Sequence, residues 1–111
     1  MVLTFEKKER LKQSWGDKAE AMECNAEVRV YDPNSSWQCF IYAMNPEDEN
    51  EIMTIEAFGR PYEIHHGVGE MSRLLNMYQS NGEPLEIDFE FRPRNAGEIL
   101  RKLRETGYYD R

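Results

Sequence analysis

A chain of 111 residues with 40% hydrophobic and 12% aromatic composition is long enough for one core in one domain spanning 1–111, without metal or disulfide staples. A charged content of 32% and a net charge of −7 demand a densely charged surface, while five Phe, six Tyr and two Trp in patterned segments exclude a disordered chain. No apolar run reaches the roughly 20 residues of a membrane span, and Met1-Val2-Leu3-Thr4-Phe5 meets Glu6-Lys7-Lys8-Glu9-Arg10 too early for a secretory leader, so a cytoplasmic protein with reduced Cys24 and Cys39 is expected.

Thr4 to about Glu23 is rich in helix formers, with an apolar stripe of Leu11, Trp15, Ala19 and Met22. Gly16 predicts either one bent helix or two short ones. Ala26–Tyr31 reads as a strand, with Val28 and Val30 on one face and Glu27 and Arg29 on the other. Asp32-Pro33-Asn34-Ser35-Ser36 is a tight reversal. Trp37–Met44 is a strand apolar on both faces, with Trp37, Cys39 and Ile41 opposing Phe40, Tyr42 and Met44, which places it in the middle of a covered sheet. The polar loop 45–50 leads into a strand over Glu51–Phe58, and Arg60–His66 reads as a shorter edge strand because of Pro61.

The spacing of Met71, Leu74, Leu75 and Tyr78 predicts a helix over Gly69–Ser80, stopped by Asn81-Gly82. Pro84–Phe91 alternates strictly, with Leu85, Ile87, Phe89 and Phe91 inward and Glu86, Asp88 and Glu90 outward, the pattern of a half-buried strand. Asn95 is an N-cap with Glu98 at the capping-box position, and Gly107 closes the last helix. The expected fold is α+β: a single domain with an antiparallel sheet of four to five strands and two or three helices, in the order α-β-β-β-(β)-α-β-α.

Residues 1–15 carry +2, residues 92–111 carry +3 and residues 16–91 carry −12. An acidic body argues against direct nucleic-acid or membrane binding and favours a protein partner of basic character. Two acidic groups are candidate partner-binding surfaces: Glu47, Asp48 and Glu49 in the hairpin loop, and the stripe of Glu86, Asp88 and Glu90. Alternate strand positions stand about 7 Å apart, similar to successive phosphates of an extended nucleic acid, so the stripe could occupy a basic groove as a nucleic-acid mimic. Arg92, Arg94 and Arg101 are candidates for holding an anion, against the plainer reading of cations complementing a helix C-terminus.

His65 and His66, near Glu63, are the only histidines. Adjacent strand residues point to opposite faces, and no spaced Cys/His set completes a metal site, so no metal, cofactor or catalytic residue is assigned. Cys39 reads as a buried hydrophobe, and Cys24, at a helix end, could be exposed. The acidic loop lacks the order of an EF-hand.

Val30-Tyr31-Asp32-Pro33-Asn34-Ser35-Ser36-Trp37, the following Phe40, Ile41 and Tyr42, the turn at Pro46, Glu47 and Asp48, and Leu85-Glu86-Ile87-Asp88-Phe89-Glu90-Phe91-Arg92-Pro93 together resemble a bacterial family of unknown activity carried on plasmids and integrative conjugative elements. The resemblance implies a mobile-element accessory protein and carries over no functional residue. The leading expectation is a non-catalytic accessory or interaction protein acting through protein contacts. The rivals are an acidic nucleic-acid mimic of the anti-restriction or anti-CRISPR type, and a small hydrolase or transferase using the His65–His66 pair. Pro84–Phe91 or Arg60–His66 offers an edge strand through which a homodimer could form.

Overall fold

A computed structural model describes residues 3–79 and 81–110. They form one α+β domain with four helices: α1 (Phe5–Ser14), α2 (Asp17–Glu20), α3 (Met71–Leu75) and α4 (Ala96–Thr106). The strands are β1 (Asn25–Ala26), β2 (Val28–Tyr31), β3 (Gln38–Asn45), β4 (Asp48–Ala57), β5 (Ile64–Glu70), β6 (Glu86–Ile87) and β7 (Arg94–Asn95). A five-stranded antiparallel sheet has the order β5-β4-β3-β2-β6, and β1 and β7 make a separate two-stranded ribbon.

The centre of the sheet is β3, where seven consecutive residues, Gln38 to Met44, are buried, as its two apolar faces require. One face packs Phe40, Ile55 and Ala57 against Ile99, Leu100 and Leu103 of α4. The other packs Val28, Val30, Cys39, Ile41 and Ile52 against Leu11 of α1 and Leu74 of α3. The strict alternation expected along β3 fails at one point. The register jumps between Ile41 and Ala43, so a bulge puts Tyr42 and Ala43 on the α4 side and returns Met44 to the Cys39 side.

The N-terminal segment takes the two-helix alternative, with Thr4 capping α1 and the break at Trp15-Gly16. The break separates the expected stripe. Leu11 stays on one face of the sheet, while Trp15, Ala19 and Met22 pack with the other. Asn95 caps α4 by accepting from the Glu98 N–H at 3.0 Å, and Gly107 ends it in a left-handed conformation, both as the sequence predicts.

Three elements differ from expectation. The edge strand is not Arg60–His66 but Ile64–Glu70, because Arg60 to Glu63 close a turn through the Glu63 N–H and the Arg60 carbonyl. The helix expected over Gly69–Ser80 shrinks to Met71–Leu75, and Ser80 lies outside the described residues. Gln79 competes with it: its N–H donates to Glu83 O at 2.7 Å and its side-chain amide to Pro84 O at 2.7 Å, folding the chain into a small loop bridged by Tyr78 and Pro84. Leu75 and Tyr78 are left exposed. Finally, Pro84–Phe91 is strand only over Glu86–Ile87, for a reason found at Asp88.

Candidate functional site

The acidic stripe does not exist as a surface. Glu86 is exposed and accepts from the Tyr31 hydroxyl at 3.0 Å, which raises the Tyr31 phenol above its ordinary pKa. Asp88 is buried and forms an ion pair with Arg29 at 2.9 Å, the side chains being 4% and 6% exposed. Its other oxygen accepts from the Glu90 N–H at 3.0 Å, and its carbonyl accepts from the Phe91 N–H, so the chain turns at 88–91 instead of extending. The turn throws Phe89 outward, 91% exposed, where alternation puts it in the core.

Glu47, Asp48 and Glu49 sit at the tip of the β3–β4 hairpin. Strand direction puts that tip at the opposite end of the sheet from Glu86, which pairs with Tyr31 beside Gln38. The two groups therefore do not merge. Glu49 is also held by Lys12 at 2.8 Å and Lys8 at 3.0 Å, and these hydrogen bonds, Lys12 first, lower its pKa. The basic N-terminal helix thus lies against the acidic body and offsets part of its charge. Glu27 is similarly engaged, buried with Arg10 at 2.7 Å.

The three arginines considered as candidates for holding an anion are not gathered. Arg92 and Arg94 line an open cleft of about 470 Å³ with Glu90, Phe91 and Asp110. Arg101 instead pairs with Glu105 one turn along α4. Asp110 also borders a second cleft of about 330 Å³, lined by Arg29, Tyr31, Asp32, Pro33, Ser35 and Tyr108. Arg29 is the hub here. It donates to Asp88 and to the Tyr108 hydroxyl, lies 4.5 Å over the Tyr31 ring, and keeps Nε as the only buried side-chain polar atom without a partner among the described residues. This network was invisible in the sequence, since Arg29 and Asp88 are 59 residues apart.

His65 and His66 are both exposed and point to opposite sides of β5. His65 packs against Phe58 with the rings tilted by 60° and their centroids 5.5 Å apart. Across the ladder it neighbours Glu56, a buried carboxylate that sequence reading passed over. Glu56 is already committed, accepting from Trp37 Nε1 at 3.2 Å and from Arg73 of α3 at 3.0 Å. Glu63 lies off the strand, paired with Arg60. Among the described residues, no three His, Cys, Asp or Glu side chains converge to hold a metal ion.

Both cysteines are unbridged and buried, on opposite faces of the sheet, so Cys24 is not exposed as its place at a helix end allowed. Burial pushes the Cys39 thiol up to about 12 and raises Cys24 as well. At pH 8 the folded protein is therefore expected to leave both thiols unmodified by iodoacetamide over an hour, whereas both react in urea. Mass spectrometry of the intact chain checks this, and stoichiometric native labelling of Cys39 would contradict the packing.

The remaining distinctive surface is the outer edge of β5. It pairs with β4 in unbroken register from Glu51–Glu70 to Ala57–Ile64, and among the described residues no strand lies on its other side. Val68 is 64% exposed on it. The opposite edge, β6, is only two residues long. No helix among the described residues is long and apolar enough to cross a membrane. The chain matches no protein-family model, no curated protein and no solved structure.

Proposed function

We propose that the protein is a non-catalytic accessory or interaction protein that binds protein by strand addition at β5. One observation carries the reading: β5 is a seven-residue edge strand without the usual protections. A bare edge presents unpaired N–H and C=O groups to any extended chain, and natural sheets blunt such edges with proline, lysine, bulges or shortness. The sheet's other edge is short, and it abuts the Asp88 turn. β5 has no proline, lysine or arginine, and its register has no shift. Strand addition then supplies affinity through the backbone and selectivity through alternate side chains. An accessory role of this kind also suits what the resemblance to the plasmid- and conjugative-element family implies.

The mimic reading loses its main support with Asp88 inside the protein and Glu49 neutralised by lysines. The hydrolase reading loses its own with the two histidines facing apart. Selection of a displayed random-peptide library against the protein tests the proposal. Enriched peptides are expected to shift the backbone amide resonances of Ile64–Glu70. Enriched peptides that move only the Arg29 or Arg92 clefts would refute it.

A further inference from the structure

The last five residues of β5 read His66-Gly67-Val68-Gly69-Glu70. Laid antiparallel against a second copy of itself about Val68, this segment is self-complementary at every position. Val68 meets Val68, Gly67 meets Gly69, and His66 meets Glu70, the last pair occurring twice by symmetry. We infer that the partner strand at β5 is β5 of a second copy, joined about a two-fold axis through Val68. This rests on the strand-addition reading and names its occupant.

Four observations support the register. His66, Val68 and Glu70 lie on one face of the strand, opposite Ile55, Met53 and Glu51 of β4, so all the proposed side-chain pairs meet on the same side. Val68 is 64% exposed and loses that exposure against its mate. Around Gly67 and Gly69 a Cβ would meet nothing within 4 Å, so the face of β5 that they share is uncrowded, and Gly67 takes φ 140°, which favours glycine. Glu70 stands directly across from Glu51, a like-charge neighbour that destabilises a sheet pair, and the mate's His66 brings a nitrogen donor to that carboxylate. An isologous contact of this kind closes on itself, uses up both bare edges and joins the two sheets into one.

The interface is small, so association in the micromolar range or weaker is expected, visible by sedimentation equilibrium at up to about 1 mM. His66→Glu places two carboxylate pairs across the axis and is expected to raise the dissociation constant about 10-fold. The swap His66→Glu with Glu70→His restores the pairing and should recover most of that loss. Val68→Cys places two thiols across the axis at the 4.5–5.5 Å Cα separation of an antiparallel pair, within disulfide range, and should cross-link on mild oxidation. Ile64→Cys faces Ser72 of the mate and should not. Native Cys24 and Cys39 are buried and do not confuse the readout. A chain that stays monomeric at 1 mM, or cross-links through Ile64→Cys but not Val68→Cys, overturns the inference. If the monomeric chain still takes selected peptides on Ile64–Glu70, only the second-copy assignment falls. If it takes none, strand addition falls with it.

Discussion

Replacing Asp88 with alanine is expected to cost about 3–5 kcal/mol of folding stability, among the largest effects of any single substitution in this chain. The variant leaves the Arg29 guanidinium inside the protein, its side chain 6% exposed, without its carboxylate, keeping the Tyr108 hydroxyl and the Tyr31 ring as contacts. It also removes the acceptor that caps the 88–91 turn. Asp88→Asn keeps an oxygen for that cap and should cost less. The double variant Arg29→Met, Asp88→Leu should recover much of the loss, because a matched apolar pair carries no desolvated charge. Urea unfolding monitored by Trp fluorescence measures all three. An Asp88→Ala protein within about 1 kcal/mol of the parent would mean that the pair is far better solvated than its burial indicates.

Gly107→Ala is the second large effect, expected to cost about 3 kcal/mol. Gly107 ends α4 at φ 82°, its N–H bonded to the Leu103 carbonyl at 2.7 Å. An added Cβ would stand 2.8 Å from the Arg60 backbone N, Cα and C atoms, which cannot swing aside as a side chain could. Gly82 supplies the control, with φ 87° in open space. There alanine carries the left-handed strain alone and should cost only about 1 kcal/mol. Equal losses at the two sites would show that the contact between the α4 cap and the Arg60 turn relaxes freely.

What could be read in the sequence was whatever depends on near neighbours. β3 is apolar at almost every position, and a strand of that kind has nowhere to go but the sheet centre. α4 carries its own start at Asn95 and its own stop at Gly107. The β2–β3–β4–β5 meander follows from turn residues between the runs. Pro84–Phe91 defeated the same logic, although its pattern is the cleanest in the chain. Periodicity reports where a side chain would point if the strand continued, and Asp88 ends the strand by pairing with a residue far back in the chain. The Gly69–Ser80 helix failed in the same way, cut short by bonds from the Gln79 side chain. The β5 edge was only half found. Gly67 and Gly69 have poor strand propensity, and their register with Met53 and its neighbours in β4 draws them into the sheet.

Gln38, fully enclosed in the central strand, gives its amide N–H to the Tyr109 carbonyl at 2.7 Å and takes the Tyr109 N–H at 3.0 Å. A side chain here imitates the pairing of one more strand, across 71 residues of chain. A sheet that assembled without that tail would lose both of the amide's partners at Tyr109. Refolding therefore has no comfortable resting place between a formed sheet and a docked tail. The two should appear together as one kinetic phase, and removal of Tyr108–Asp110 should undo the centre of the molecule and not merely trim its rim.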